Sequence, residues 1–234
     1  MKNNSLGVVI LAAGRGTRMG QITPKAFLLL EHKPVLLYSI DLLARVEYVD
    51  EIIIVVHPED RQHLENKVLS SLSVKKRIHV VEGGAQRQDS SLSGVRATTS
   101  SWVAVHDAAR PLFSSQLLDR VYRAAQEAQA AIPTLPVTES LRLVSKESLI
   151  TTDVNRENLH LVQTPQCFAR ELLLRSLEQV CAERRYFTDE AGAVLAISGV
   201  RAKAVPGERA NLKITLPEDL EWAEALLKIK SRAA

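Results

Sequence analysis

A short segment near the start of the sequence combines glycines with positive charge. Residues 12–25 include Gly14 and Gly16 and carry three cations, which are Arg15, Arg18 and Lys25. Glycines let the backbone approach a ligand closely, and successive backbone N–H groups can then bind phosphate oxygens. Several cations around one glycine loop exceed what static cofactor binding requires, but they suit the charge that builds up during phosphoryl transfer. The segment therefore predicts a catalytic phosphate loop, although a tight β–α turn with surface arginines explains the glycines equally well.

Two familiar phosphate loops do not match this segment. The dinucleotide fingerprint needs a third glycine where this chain has Met19, and the P-loop needs Lys-Ser or Lys-Thr directly after its glycines. What remains is a glycine loop that supplies its own cations.

A second glycine pair precedes a predicted helix. Residues 83–84 are Gly-Gly, and hydroxyl side chains follow, including Ser90. Backbone N–H groups at such a helix start can bind a polar ligand, although an ordinary capped helix explains the same pattern.

The string His-Asp-Ala-Ala-Arg-Pro at residues 106–111 follows a buried apolar run. Asp107 at the end of a strand could hold Mg²⁺ or a ribose hydroxyl, and Arg110 could pair with a phosphate in bidentate fashion. His106 is interpreted as a hydrogen-bonded, partly buried histidine. Thr-Asp-Glu at 188–190 and the lysine within residues 211–215 are ordinary capping and surface patterns, unless the fold brings them to the glycine loop.

Buried strands alternating with helices must hold these strings in place. Apolar runs predict strands at residues 8–11, 52–56, 78–81 and 103–105. The predicted helices are 34–46, a helix through 97 capped by Asp89 or Ser90, 116–130 capped by Ser114 or Ser115, and a C-terminal helix opened by Pro217. This order predicts an α/β fold, a Rossmann-like three-layer sandwich with a mostly parallel sheet and functional loops at the carboxyl ends of its strands. Residues 137–160 lack a helical stripe and predict a projecting β-arm.

Composition limits the class of protein. The chain has 234 residues, of which 46% are hydrophobic and 24% charged, and no linker divides it, so we expect one globular domain over 1–234. A net charge of +3 and one short basic run at 75–77 do not indicate nucleic-acid binding. Two cysteines do not suggest a disulfide scaffold. The first apolar run is too short for a membrane helix and lacks the layout of a signal peptide. We expect a soluble, cytoplasmic protein without a nucleic-acid or membrane partner.

The glycine segment, followed by Pro-Lys at 24–25, resembles the signature loop of nucleotidyltransferases that activate sugars and alcohols. With the other strings it resembles the 2-C-methyl-D-erythritol 4-phosphate cytidylyltransferase family of the non-mevalonate isoprenoid pathway, over nearly the whole chain. The strings that carry the resemblance are Ala-Ala-Gly at 12–14, Gly-Gly with Arg87 and Ser90, residues 106–111, Arg156, Thr-Pro-Gln at 164–166, Thr-Asp-Glu at 188–190 and Lys213.

This resemblance implies transfer of CMP from CTP to 2-C-methyl-D-erythritol 4-phosphate, with Mg²⁺ as cofactor and a homodimer as the working state. It implies catalytic roles for Arg18, Lys25 and Lys213. The residues implied to line the CTP site are Ala12, Ala13, Gly14, Gly16, Gly84, Ser90, Asp107 and Ala108, with Asp107 also as the metal ligand. The phosphorylated acceptor is implied to contact Arg110, Thr188 and Lys213. Arg156, on an arm that also carries Ser140 in the substrate-binding set, is implied to reach the partner subunit's site.

Three positions depart from the family pattern. Ser140 stands where threonine is usual, and Ala85 and Ala210 stand where acidic or polar residues are frequent. The two alanines put a second acidic partner for the metal in doubt.

Two other functions stay open at this point. One is cytidylyl transfer to ribitol or glycerol phosphate, and the other is a catalytically inactive nucleotide-binding regulator on the same fold. For cytidylyl transfer to any of these phosphorylated acceptors, no general base is expected. A phosphate monoester has a second pKa near ~6 and is already an anionic nucleophile at neutral pH.

Overall fold

A computed structural model describes residues 5–14, 24–71 and 75–233 of the chain. The strands are β1 (Leu6–Leu11), β2 (Leu29–Leu30), β3 (Lys33–Pro34), β4 (Val49–Val56), β5 (Arg77–Glu82), β6 (Trp102–Asp107), β7 (Ala130–Pro136), β8 (Leu141–Val144), β9 (Ile150–Val154), β10 (His160–Val162), β11 (Gln166–Ala169) and β12 (Lys203–Pro206). The helices are α1 (Val35–Arg45), α2 (Arg61–His63), α3 (Arg87–Ala97), α4 (Ser115–Ala128), α5 (Arg170–Ala182), α6 (Glu190–Ser198) and α7 (Pro217–Ala233).

One large sheet organises these elements. Its parallel part has the order β6-β1-β4-β5, so the first strand of the chain lies in the middle. On the other side of β6, strand β11 runs antiparallel to both β6 and β7, while β10 is antiparallel and β12 parallel to β7. The predicted mostly parallel α/β sheet is confirmed for its core, and the antiparallel half extends it.

Helices cover both faces of the sheet. Alternate residues of β1 face opposite sides, with Val8 and Ile10 in one core and Val9 in the other. Helices α1 and α4 pack on the first core, and α3, α5 and α6 pack on the second. The predicted three-layer sandwich is therefore confirmed, since strands buried on both faces require two helical layers.

The start of α3 differs from its predicted position. Gln86, rather than Asp89 or Ser90, precedes the first helical residue, and its backbone N–H donates to the Asp89 carboxylate at 3.0 Å. Asp89 thus acts from the first turn in a capping box, which starts the helix three residues earlier. Ser114 caps α4 as predicted, by accepting from the Leu117 N–H at 3.0 Å.

Residues 137–160 contain the predicted hairpin. Strands β8 and β9 pair with each other, and within the described residues neither pairs with the large sheet. Its apolar side chains are exposed in the single chain, with Leu149 at 66% and Ile150 at 70% exposure. Such exposure is typical of a surface that another polypeptide covers.

Both cysteines are free thiols, Cys167 in the core and Cys181 partly buried. In the part of the chain that the structure describes, no helix is both long and apolar enough to span a membrane.

A buried carboxylate ties β4 to the loop that leads into β6. Glu51 is 1% exposed and accepts hydrogen bonds from the Thr98 hydroxyl, the Thr99 N–H and the Ser100 N–H and hydroxyl at 2.5–2.8 Å. Burial alone would raise the pKa of Glu51, but these hydrogen bonds outweigh burial and lower it below the usual value. The ionised carboxylate therefore stabilises the folded chain.

Replacing Glu51 by glutamine is expected to lower the free energy of unfolding by about 1–3 kcal/mol at pH 7, because charge-assisted hydrogen bonds to a buried group are lost. The lowered pKa means that this stability is present above the unfolded-state pKa of about 4.3 and is lost as the pH falls through the folded-state pKa. The difference between wild type and Glu51→Gln should thus shrink below about pH 4 in denaturant titrations. Glu65→Gln, which removes an exposed ion pair with Arg61, is the control and should change stability little. A constant difference down to pH 3 would contradict this account of Glu51.

Candidate active site

A pocket of about 530 Å³ opens where the parallel strands end. Strands β1, β4, β5 and β6 all point their carboxyl ends to this edge, so the loops that follow them share one cleft. The described residues that line it are Leu11, Ala12, Ala13, Gly14, Lys25, Ala26, His57, Gly84, Ala85, Gln86, Arg87, Ser90, Asp107, Ala108, Ala109 and Lys213.

The glycine loop leaves β1 against the second glycine pair. The Ala12 N–H donates to the Val55 carbonyl at 2.7 Å, which continues the sheet register by one residue. A Cβ added at Gly83 would lie only 2.6 Å from Ala13 Cβ, so the close contact between the two loops requires glycine there. Ala12, Ala13 and Gly14 thus lie in the pocket lining, whereas Gly16 and Arg18 lie outside the described residues.

The second glycine pair is fixed by the helix that follows it. Ser90 Oγ accepts from the Gly84 N–H at 3.2 Å and donates to the Gln86 carbonyl at the same distance. Ser90 and Gly84 both line the pocket, and Ser90 also holds the turn in shape.

Lys25 reaches the pocket from the short helical turn Lys25–Phe27. Its ammonium donates to the carbonyls of Ile214 at 3.2 Å and Thr215 at 2.8 Å. The fold therefore brings Lys25 to the irregular segment that carries Lys213, almost two hundred positions later in the chain.

Asp107 lies at the centre of a cluster of cations. Its Oδ1 accepts from Arg87 Nη2 at 3.1 Å, its Oδ2 accepts from Lys213 Nζ at 2.7 Å, and Arg110 Nε is 4.0 Å from Oδ2. Burial raises the pKa of Asp107, but Arg87 and Lys213 outweigh burial and hold the pKa well below its usual range. Asp107 is thus ionised at physiological pH and is the carboxylate among the described lining residues.

His106 links the backbone of Arg110 to that of Asp107 through hydrogen bonds. It is fully buried, and burial lowers its pKa to about 4, so the ring is neutral near pH 7. Its Nε2 is 3.1 Å from the Arg110 carbonyl, which can only accept, so Nε2 carries the proton and Nδ1 accepts from Thr164 Oγ1 at 3.1 Å. Thr164 Oγ1 accepts in turn from the Asp107 N–H at 3.0 Å. The prediction of a hydrogen-bonded histidine is confirmed, and His106 is fully rather than partly buried.

Arg110 lies beside the pocket rather than in its wall. Nη1 donates to the Asn211 carbonyl at 2.7 Å and Nη2 to the Val162 carbonyl at 3.4 Å. Its Nε is buried and makes no hydrogen bond within the described part of the chain. A buried guanidinium N–H without an acceptor is costly, which is expected where an anionic ligand supplies the acceptor.

The remaining predicted residues lie at different distances from this pocket. Ala108 lines it, whereas Thr188 is exposed just before the Asp189 cap of α6. Ser140 and Arg156 border a small groove on the hairpin instead, with Arg156 donating to the Thr138 carbonyl. A single chain therefore does not bring the hairpin residues into the described lining of the main pocket.

Sequence reasoning missed one ion pair at this site, in which the Glu190 carboxylate is buried and the Arg87 side chain is 33% exposed. Arg87 and Glu190 form an ion pair at 2.8 Å, and Arg87 also contacts Asp107. Arg87 and Glu190 both belong to sequence strings that carry the family resemblance. By its local sequence, however, Glu190 is an ordinary acidic residue in the first turn of a helix. No local signal shows that its carboxylate is buried against an arginine from another helix.

The fold and the pocket together define an α/β enzyme of the nucleotidyltransferase class. The family model described as 2-C-methyl-D-erythritol 4-phosphate cytidylyltransferase matches residues 6–229. The chain therefore belongs to this family.

Known relatives agree with this assignment. The 2-C-methyl-D-erythritol 4-phosphate cytidylyltransferase of Caldanaerobacter subterraneus is 34% identical over 226 residues, covering 96% of this chain and 99% of the relative. The bifunctional enzyme IspD/IspF of Bartonella bacilliformis is 34% identical over 229 residues, covering 95% of this chain. The crystal structure of the cytidylyltransferase from Thermus thermophilus has a TM-score of 0.78 at 34% identity and covers 96% of this chain and 99% of that one.

The relatives differ in length. The chain spans 57% of the bifunctional Bartonella enzyme but nearly the whole of the Caldanaerobacter protein.

Proposed function

We propose that the chain transfers CMP from CTP to 2-C-methyl-D-erythritol 4-phosphate and releases pyrophosphate. The observation that carries this proposal is the meeting of Lys25, Asp107 and Lys213 around one pocket that begins at the glycine loop. The choice of substrates in this proposal is based on membership in the cytidylyltransferase family and on the names of relatives that match over nearly their whole length. In this proposal the chain acts as one domain, and the cytoplasmic location stays a prediction.

The chemistry needs positioning and positive charge more than proton transfer. An acceptor phosphate attacks the α-phosphorus of CTP, the P–O bond to the β-phosphate breaks, and pyrophosphate takes the electron pair. Charge on the α-phosphate and the leaving group is stabilised by Lys25 and by Arg18, whose position lies outside the described residues. Lys213 binds the acceptor phosphate, so that the two polyanions meet in line.

Backbone groups and small side chains form the nucleotide half of the pocket. Ala12, Ala13 and Gly14 offer unhindered backbone to CTP, and Gly84 and Ser90 line the opposite wall. Gly16 and Ala108 complete the proposed CTP set.

Asp107 fits one ligand position of a Mg²⁺ ion. Mg²⁺ is commonly held by one or two carboxylates together with substrate phosphates and water, and Asp107 supplies one such carboxylate. The described residues contain no group of three or more acidic, histidine or cysteine side chains that could hold a metal alone, so most ligands would come from CTP and water. When bound, the ion supplies neutralisation of phosphate charge.

The acceptor half of the site involves Arg110 and Thr188. The buried Arg110 Nε, which has no acceptor within the described residues, suits an acceptor phosphate as its partner. Thr188 is exposed at the start of α6 and offers a hydroxyl to the same substrate.

A homodimer completes the site in this proposal. Arg156 and Ser140 lie on the hairpin rather than in the described pocket lining, and the hairpin exposes Leu149 and Ile150. A second copy of the chain would cover these apolar side chains and receive Arg156 in its own pocket.

Pyrophosphate release tests the proposed activity. The purified chain is incubated with CTP and Mg²⁺ and, in turn, with methylerythritol, ribitol or glycerol phosphate. Release with methylerythritol phosphate that clearly exceeds the other two supports the proposal. Preference for ribitol or glycerol phosphate would reassign the substrate, and no release with any of them would favour a nucleotide-binding regulator.

Subunit mixing tests whether Arg156 acts on the partner. Arg156→Ala is expected to lower kcat/KM for the acceptor by roughly tenfold or more, because a charge-assisted contact to phosphate is lost. Unfolding and refolding it together with an inactive Lys25→Ala chain should restore up to roughly a quarter of wild-type activity, since half of the dimers are mixed and each has one intact site. If Arg156 acts within its own chain, mixing restores nothing. Arg142→Ala, on the same hairpin in an exposed pair with Asp153, is the matched control and needs no complementation.

A further inference from the structure

We propose that Arg87 is a positioning residue that couples the nucleotide half of the pocket to its acceptor half. This role rests on the proposed function. Arg87 is the first residue of α3, and its two carboxylate partners belong to other elements: Asp107 ends β6 and Glu190 begins α6. One guanidinium therefore joins three elements at the wall of the pocket, which it also lines.

The whole guanidinium fork is used. Nη1 and Nη2 donate to the two oxygens of Glu190 at 2.8 and 3.2 Å, and Nε and Nη2 donate to Asp107 Oδ1 at 3.3 and 3.1 Å. A planar fork can satisfy two carboxylates in this way, whereas a lysine ammonium at the same place is a point charge on a flexible stem. The arrangement thus depends on the shape of the side chain as well as on its charge.

The first consequence concerns Asp107. Because Arg87 holds Oδ1, the second oxygen, Oδ2, is turned toward Lys213 at 2.7 Å. Arg87 therefore fixes the orientation of the Asp107 carboxylate and leaves one of its oxygens for Lys213.

The second consequence concerns the start of α6. Glu190 is 1% exposed and is held by Arg87, while the neighbouring Asp189 caps the helix and accepts from Gln166 Nε2 at 3.0 Å. Thr188 directly precedes this pair of anchored residues. Its place relative to Asp107 is thus set through Arg87.

Stability alone is a poor explanation for this cluster. Burying the carboxylates of Asp107 and Glu190 against a partly exposed guanidinium has a desolvation cost, and apolar side chains often join elements as well or better. Placing those charges at a phosphate-binding pocket instead serves the geometry of the site, where a displacement of about 1 Å can cost 10²-fold in rate.

The test compares Arg87→Lys with Arg96→Lys in the full-length chain. Arg96 is on the same helix in an exposed pair with Glu178, so its replacement controls for the loss of a guanidinium from α3. Arg87→Lys is expected to lower kcat by about 10- to 100-fold and to raise the acceptor KM, with a melting temperature close to that of wild type. The Kd for CTP, measured by calorimetry without acceptor, should change less than kcat. Arg96→Lys should leave all of these values near wild type.

Chemical rescue separates positioning from folding. Arg87→Ala should be slower still, and added guanidinium ion at millimolar concentration should restore part of kcat, whereas added ammonium should not. Wild-type kcat and acceptor KM in Arg87→Lys would overturn the inference. So would a loss of activity that matches the unfolded fraction in thermal melts. If Arg87→Ala does not fold, Arg87→Lys decides alone. Absence of turnover by wild type in the same assay would instead remove the proposed function, and the inference with it.

Discussion

Lys25→Ala is expected to lower kcat with CTP by about 10²-fold or more, with a much smaller change in the Kd for CTP. Removing one donor that acts on developing charge has this magnitude in other enzymes, because the interaction is stronger in the transition state than in the ground state. The carbonyls of Ile214 and Thr215 locate the Lys25 ammonium at the edge of the pocket that Lys25 lines.

The measurement is steady-state pyrophosphate release together with calorimetric binding of CTP. Lys203→Ala is the control, because Lys203 is an exposed lysine paired with Glu127 and is not among the described lining residues of the pocket. Near-normal turnover of Lys25→Ala would exclude a role of Lys25 in stabilising the transition state. Weaker CTP binding with an unchanged kcat would assign Lys25 to ground-state binding instead.

Asp107→Asn should both destabilise the chain and abolish measurable turnover. The carboxylate has cations from Arg87, Lys213 and Arg110 within 4.0 Å, and an amide would leave this group of charges without its central anion. Breaking a fully buried ion pair costs about 3–5 kcal/mol, but Arg87 and Lys213 are partly exposed, so we expect a loss of about 1–3 kcal/mol, or roughly 5 °C in Tm for a chain of this size. Turnover is lost as well, because the proposed metal ligand is gone and Lys213 is no longer held at the pocket.

Thermal melts and the pyrophosphate assay, run below the variant's melting range, separate these two effects. Asp119→Asn is the matched control, since Asp119 forms an exposed pair with Arg123 on α4. A melting temperature equal to that of wild type would show that Asp107 does not balance these cations. Normal turnover would exclude Asp107 from the nucleotide site.

Much of the sheet core could be predicted because its signals are local. The apolar runs that became β1, β4 and β6 are buried on both faces, and such strands have a distinctive composition. The hairpin was also predictable, since alternation and short turns act over a few residues. The insertion of β11 between β6 and β7 was not, because a run of four residues carries too little information to choose its neighbours or its direction.

The same division applies to the site. The glycine loop and Asp107 have local signals, as a loop and a charged residue directly after buried strands. The contact between Asp107 and Lys213 has none, since these residues are far apart in sequence and meet only through the closed fold. The ion pair between Arg87 and Glu190 could not be predicted for a related reason, because burial of a charge depends on which elements pack over it.

The central place of β1 has a consequence for how the chain comes to its folded form. Strand β1 pairs with β4 and β6, both of which are synthesised after it. The pocket also requires Lys213, which follows β12 in the chain. The entropy cost of closing such long loops comes before the contacts between strands can form. Folding of the sheet is therefore slow and requires nearly the whole polypeptide. A nascent chain that has emerged only as far as β5 has the glycine loop but neither Asp107 nor Lys213. Affinity for a nucleotide should therefore arrive late in synthesis, as a property of the finished sheet.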